Sequence, residues 1–114
     1  SHGVYHGGVI TPGIEVSLNT LKNKTAKLPL VKFSRTKKVI GFNTKQAIQA
    51  GFFWGYCSMI EGLIKKIIKE ENNDFQIILT GGNSSYFHNV FENVILIDEF
   101  FTSKALNYIL NKYT

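Results

Sequence analysis

The strongest local signal for chemistry is a turn, Thr80-Gly81-Gly82, at the end of an apolar run from Phe75 to Leu79. Two glycines where a buried strand gives way to a helix leave the backbone bare, so its N–H and C=O groups can approach a flat base, a ribose or a phosphate. An ordinary tight turn has the same sequence, and the turn alone does not choose between the two. A second glycine-rich stretch is Gly7-Gly8-Val9-Ile10-Thr11-Pro12-Gly13. Packing of a strand against a helix or a second subunit accounts for Gly7 and Gly8 there. The third is Gly41-Phe42-Asn43-Thr44, a helix entrance with a hydroxyl beside free backbone N–H groups. Such an entrance is a polar ligand site or a plain cap.

Other chemistry is missing from the pattern. Glu15, Glu61, Glu70, Glu71, Asp74, Glu92, Asp98 and Glu99 form no obvious acid–base pair, and Asp98-Glu99 reads as a solvated turn at a strand end. His2, His6 and His88 are scattered without metal-ligand spacing, although His6, beside the glycine pair, can meet a phosphate or simply pack. No Ser/His/Asp or Cys/His arrangement is present. These 114 residues do not display a complete active site.

The elements that would position these groups follow from periodicity. Val4 to Ile10 reads as a strand, ended by Thr11-Pro12-Gly13. Ile14, Val16, Leu18 and Leu21 give a helix an apolar face as far as about Thr25, and Leu28-Pro29-Leu30-Val31 breaks it. The chain is then extended to Gly41, with Val39-Ile40 as its buried pair. Asn43-Thr44 starts a long helix over about 44–71, with Ile48, Phe52, Met59, Leu63 and Ile67 as its core stripe. Gly51, Gly55 and Gly62 form a second stripe. Each glycine costs a helix interior roughly 1 kcal/mol against alanine, so three of them imply close approach on that face. Phe75 to Leu79 is a buried strand, Tyr86 to Phe91 a short helix, Val94 to Ile97 a strand and Thr102 to Tyr113 a terminal helix. Alternation of this kind indicates an α/β domain.

Composition sets the outer limits. A chain of 114 residues, 44% hydrophobic and 13% aromatic, is the size of one small domain with a real core. No apolar run reaches the roughly 20 residues of a membrane span, and the first residues lack a signal-peptide pattern. The lone cysteine, Cys57, reads as packing and fits a reducing cytoplasm. The net charge is +5, and Lys22, Lys24, Lys27, Lys32, Arg35, Lys37 and Lys38 share one stretch without an acidic residue. That stretch is a solvated connection or an attractor of phosphate-bearing partners; no zinc-finger or RNA-binding signature accompanies it.

Taken in order, these stretches resemble the second domain of type III pantothenate kinases. The matching segments are residues 7–13, Leu18, Thr25-Ala26-Lys27-Leu28-Pro29, Ile40 to Gly51, Gly55-Tyr56, Glu61-Gly62 and Thr80-Gly81-Gly82. Phe100-Phe101-Thr102-Ser103 departs from the leucine- and glycine-bearing helix start of many members. The resemblance implies a C-terminal kinase domain over 1–114, the second ribonuclease-H-like domain of the actin-like fold, lacking its first two strands. It implies an enzyme that phosphorylates pantothenate with ATP at the start of coenzyme A synthesis, in the cytoplasm. Magnesium and a monovalent cation, potassium or ammonium, accompany the reaction in this family.

The same resemblance implies a homodimer with the long helix at its interface. Thr44 would contact pantothenate across that interface, and Thr80, Gly81 and Gly82 would contact adenosine. The phosphate loops and catalytic aspartate fall upstream of Gly7 in the family, so the chain alone is expected to be inactive without an N-terminal half. Ser1-His2-Gly3 would lie in a turn between strands, and a sheet short of its central strands would leave apolar faces uncovered. A regulatory or nucleic-acid-binding relative, working through residues 22–38, is the alternative.

Overall fold

The computed structural model of the chain describes residues 3–24 and 27–113. His2, most of the Ser1-His2-Gly3 turn, Thr25-Ala26 and the expected end of the first helix at Thr25 lie outside the described residues. The elements are α1 (Ile14–Lys24), α2 (Thr44–Glu71), β1 (Ile77–Thr80), a 3-10 helix (Ser84–Phe87), β2 (Val94–Asp98) and α3 (Phe101–Tyr113). Helices beside a small parallel sheet make this a mixed α/β arrangement.

Helix α1 begins where Gly13 ends the Pro12 turn, and its first turn closes with Ser17 N–H donating to the Gly13 carbonyl at 3.0 Å. Ile14 and Leu18, four residues apart, are buried on one face. Val16, expected on that face, is 66% exposed. Two residues turn a helix by about 200°, which carries Val16 to the far side.

Residues 4–10, expected as a strand, form no strand ladder among the described residues, and Tyr5 and Ile10 stand in solvent. A strand gains its ladder from a neighbour, so the apolar pattern alone leaves the segment extended and open. The buried pair expected at Val39-Ile40 is also overturned, with exposures of 63% and 76%. Val31 and Phe33 are buried instead, because alternate residues of an extended segment share a face.

Helix α2 has the expected span, 44–71, ending at Asn72 in the left-handed region, whose N–H donates to the Ile68 carbonyl. Its buried stripe is Ala50, Phe53 and Cys57, rather than the expected stripe of Ile48, Phe52, Met59, Leu63 and Ile67. The first four of those are half-buried and Ile67 is exposed. Phe52 and Phe53 differ by about 100° around the axis, and tertiary contacts choose between two apolar stripes that periodicity alone leaves equivalent. Phe53 wins because Phe33 and Phe87 stand 6.3 and 6.1 Å from its ring and Trp54 meets it edge-on at 5.1 Å. Ile14, Leu18 and Cys57 complete this core.

Strands β1 and β2 are parallel, with Ile77 opposite Val94, Ile78 opposite Leu96 and Thr80 opposite Asp98, so Ile95 bulges out of the ladder. The run expected to be fully buried is covered on one face only: Ile77 and Leu79 are half-buried and Ile78 is exposed. The helix expected over 86–91 is a single 3-10 turn starting earlier, at Ser84. The backbone leaves the helix at His88 (φ −57°, ψ 128°), and Asn89 follows at a positive φ of 58°.

Asp98 prepares the start of α3: its Oδ1 accepts the Phe100 N–H at 2.9 Å and its Oδ2 meets Lys104 Nζ at 2.8 Å. The Lys104 and Phe100 hydrogen bonds stabilise the carboxylate and hold Asp98 below the usual aspartate range. A depressed folded pKa contributes stability above the unfolded value, near 3.9, that is lost as pH falls through the folded one. NMR titration of the Asp98 carboxyl should therefore give a midpoint below that of an unstructured aspartate. Asp98→Asn should make the α3 amide shifts insensitive to acid in that window; an ordinary midpoint contradicts the ion-pair account.

No residue of α3 is buried, and Leu106, Ile109, Leu110 and Tyr113 are more than half exposed. The whole chain exposes 9057 Å², against about 6300 Å² for a compact protein of its mass. Its radius of gyration is 17.0 Å, against about 13 Å. Large apolar faces are left uncovered among the described residues.

Candidate functional site

Two places in the fold offer backbone polar groups to a ligand. At the start of α2, Asn43 is the N-cap, with extended φ and ψ of −137° and 172°. Its Oδ1 accepts the Gln46 N–H at 2.8 Å, and Gln46 Oε1 in turn accepts the Phe42 N–H at 2.9 Å. Thr44 therefore does not cap the helix. It occupies the first turn, exposed, and its hydroxyl has no hydrogen-bond partner among the described residues. Gly41 lies directly against the helix: a Cβ built there would overlap the Ala47 N, the Gln46 carbonyl carbon and the Ala47 Cα, the last at 2.7 Å. The preceding segment is tied down by Trp54 Nε1, which donates to the Lys38 carbonyl at 3.1 Å. Between this segment and α2 lies an open cavity of about 360 Å³ whose lining includes Lys37, Lys38, Phe42, Gln46 and Gln49, but not Thr44.

The second place is the turn after β1. Thr80 ends the strand, and Gly81 adopts φ +99°, a conformation that a side chain would strain. The Gly81 carbonyl accepts both the N–H and the hydroxyl of buried Ser84, at 3.1 and 2.8 Å. Beyond the adjacent residues, nothing among the described residues lies within 4 Å of where a Cβ would stand on Gly81 or Gly82. The turn is thus a fixed, side-chain-free ledge at the C-terminal end of a parallel strand. Within one copy of the chain, no hydrogen bond among the described residues joins this ledge to Thr44.

The remaining candidates have structural surroundings. His6 Nδ1 lies 3.3 Å from Glu71 Oε2 at the far end of α2. Cys57 is buried, and burial pushes its thiol above the ordinary range against the opposing pull of Arg35. Three of the basic residues of 22–38 make internal contacts: Lys22 Nζ donates to the Leu28 carbonyl at 3.2 Å, Arg35 donates to the His88 carbonyl while lying over the Phe53 ring, and Lys38 Nζ lies 5.5 Å from the Phe42 ring centre. Among the described residues no group of three or more His, Cys, Asp or Glu is placed to hold a metal ion. No helix of the described residues is long and apolar enough to cross a membrane.

Gly51 and Gly55, expected to mark close approach, face an open apolar groove shared with Ser17, Ile48, Phe52 and Met59. Apart from the helix's own backbone, nothing among the described residues comes within 4 Å of a Cβ built on either glycine. Tyr56 joins α2 to the start of α1, its hydroxyl reaching the Pro12 carbonyl at 2.8 Å and Ser17 Oγ at 3.1 Å. Sequence reasoning missed the bond from the Gln46 N–H to Asn43 Oδ1 and that from the Phe42 N–H to Gln46 Oε1, although Asn-x-x-Gln ahead of an apolar helix signals a side-chain-capped start. It also missed Ser84, whose role depends on the φ that Gly81 adopts.

A parallel strand ending in a bare glycine ledge, with a separately capped helix entrance, defines an α/β protein with two surfaces suited to small polar ligands. A family model described as type III pantothenate kinase matches residues 1–66, and the chain belongs to that family. The type III pantothenate kinase of Pelagibacter ubique is 43% identical over 102 residues, 90% of this chain and 41% of the relative. That of Persephonella marina is 52% identical over 81 residues, covering 71% and 32%. That of Sulfurihydrogenibium sp. is 41% identical over 109 residues, covering 96% and 43%. The chain thus spans about two fifths or less of the length of these relatives.

Proposed function

We propose that this chain is the C-terminal part of a kinase that transfers the γ-phosphoryl group of ATP to the hydroxyl of pantothenate, the first step of coenzyme A synthesis, in the cytoplasm. The observation that carries the reading is the helix entrance: it lies inside the family match and presents an exposed Thr44 hydroxyl with no internal partner. In this proposal Thr44 hydrogen-bonds pantothenate, and Thr80, Gly81 and Gly82 form the shelf for adenosine. The ledge fits a flat ligand, since Gly81 and Gly82 hold no atom above the backbone and the Ser84 bonds keep it fixed.

In the reaction the pantothenate O–H bond breaks, a new P–O bond forms, and ADP leaves. This chain's contribution is orientation: one substrate is held at α2 and the other at the β1 turn, which raises the effective concentration of the reacting groups. We assign the proton acceptor, the phosphate loops and the ligands of magnesium and of potassium or ammonium to an N-terminal half. No group of three or more His, Cys, Asp or Glu is gathered for a metal among the described residues. That half would complete a ribonuclease-H-like sheet, cover residues 4–10 and supply the packing that α3 lacks.

The α1–α2 groove is assigned to a second copy of the chain, with α2 at the interface of a homodimer. Gly51 and Gly55 support this: each weakens the interior of α2, and the groove the two line is apolar and otherwise unfilled.

Incubating the parent polypeptide with ATP, magnesium, potassium and pantothenate should yield ADP and phosphopantothenate in equal amounts by mass spectrometry, whereas residues 1–114 alone should yield neither. ADP release that does not depend on pantothenate would contradict the assignment.

A further inference from the structure

We propose that Gln46 is a positioning residue for Thr44. The inference rests on the reading of Thr44 as the pantothenate contact. Two side chains beside Thr44 are engaged with the α2 entrance itself: the Asn43 carboxamide oxygen holds the Gln46 N–H at 2.8 Å, and the Gln46 carboxamide oxygen holds the Phe42 N–H at 2.9 Å. These two bonds close backbone loops over residues 43–46 and 42–46, and Thr44 lies inside both. Gly41, pressed against Ala47, and Lys38, held by Trp54, fix the incoming chain on the other side. The Thr44 hydroxyl takes no part in these bonds, so in this proposal its position is set by the two bonds that close around it.

The two bonds have separable roles. Asn43 caps through the backbone N–H of residue 46, and removing the Gln46 side chain leaves that bond in place. The helix would still begin at Thr44. What is lost is the acceptor for the Phe42 N–H, which lets the 41–43 segment pivot and spreads the orientations of the Thr44 side chain. A loosened contact weakens binding of its own ligand and leaves the other substrate alone.

The test uses the parent polypeptide with pantothenate and ATP as varied substrates, and thermal melts confirming that each variant folds. Gln46→Ala should raise the pantothenate KM roughly threefold to tenfold, the scale of coupling through one shared hydrogen-bond network, with ATP KM and kcat close to the parent's. Gln46→Glu, which keeps an acceptor oxygen, should restore the parent KM. Adding Gln46→Ala to Thr44→Val should produce no further rise. An unchanged KM in Gln46→Ala, failure of Gln46→Glu to restore it, or effects that multiply in the double variant would each overturn the inference while leaving the role of Thr44 intact. An unchanged pantothenate KM in Thr44→Val itself would overturn both.

Discussion

Replacing Phe53 by alanine is expected to destabilise the protein by about 3–5 kcal/mol, the cost of emptying a fully packed aromatic site. Phe53 is 1% exposed and is the largest fully buried side chain among the described residues. It touches three different parts of the chain at once: Phe33 from the extended segment, Phe87 from the 3-10 turn and Trp54 from its own helix. The Arg35 guanidinium lies 5.7 Å from its ring centre and loses that face as well. Because Phe87 closes the connection that begins at Gly81, the damage should reach the glycine ledge. A fall in Tm of about 10 °C is expected, at roughly 2–4 °C per kcal/mol for a protein of moderate size. Phe53→Leu, which refills most of the volume, should recover more than half of it. A Tm shift under about 2 °C for the alanine variant would show that the core lies elsewhere.

The second large effect is expected at Gly41. A methyl group there overlaps backbone atoms of Gln46 and Ala47, which are fixed by the first turn of α2 and cannot rotate away as a flexible side chain would. The incoming segment must back off, which stretches the Asn43 and Gln46 bonds of 2.8 and 2.9 Å together. Overpacking of this kind costs about 1–3 kcal/mol, and a damaged cap adds up to about 2. Gly41→Ala should therefore lose about 2–4 kcal/mol by chemical denaturation and weaken pantothenate binding through Thr44. Gly82→Ala, with open space and no positive φ, provides the control and should stay within about 0.5 kcal/mol of the parent. Equal stability of the two alanine variants would contradict the close approach.

The helices were readable from sequence because each carries its own instructions. Asn43 and Asn72 bracket α2, Pro12-Gly13 precedes α1, and apolar spacing fills the interiors. Strand β2 and helix α3 were placed within a residue of their observed bounds for the same reason. Burial was less readable, since it depends on what arrives from elsewhere in the chain. Phe53 rather than Phe52, and Phe33 rather than Val39-Ile40, became core because the aromatic cluster formed on that side. Residues 4–10 carry a strand's composition, but pairing is a property of two segments and composition describes only one. Thr44 and the Thr80-Gly81-Gly82 turn fell at a helix start and a strand end, as their residue types demand. The tie from Gln46 back to Phe42 was encoded by the Asn-x-x-Gln spacing, yet which N–H the glutamine would take required the backbone path of 41–43.

The central claim is that this part of the protein holds two substrates on two separate surfaces, and steady-state kinetics of the parent polypeptide carrying Thr44→Val or Gly82→Ala tests it most directly. The predicted result is a crossed pattern: Thr44→Val raises the pantothenate KM about tenfold, the loss of one hydrogen bond to a polar substrate, and leaves ATP KM alone, while Gly82→Ala raises ATP KM several-fold and leaves pantothenate KM alone. Loss of ATP affinity in Thr44→Val, or the same change for both substrates in either variant, would contradict it.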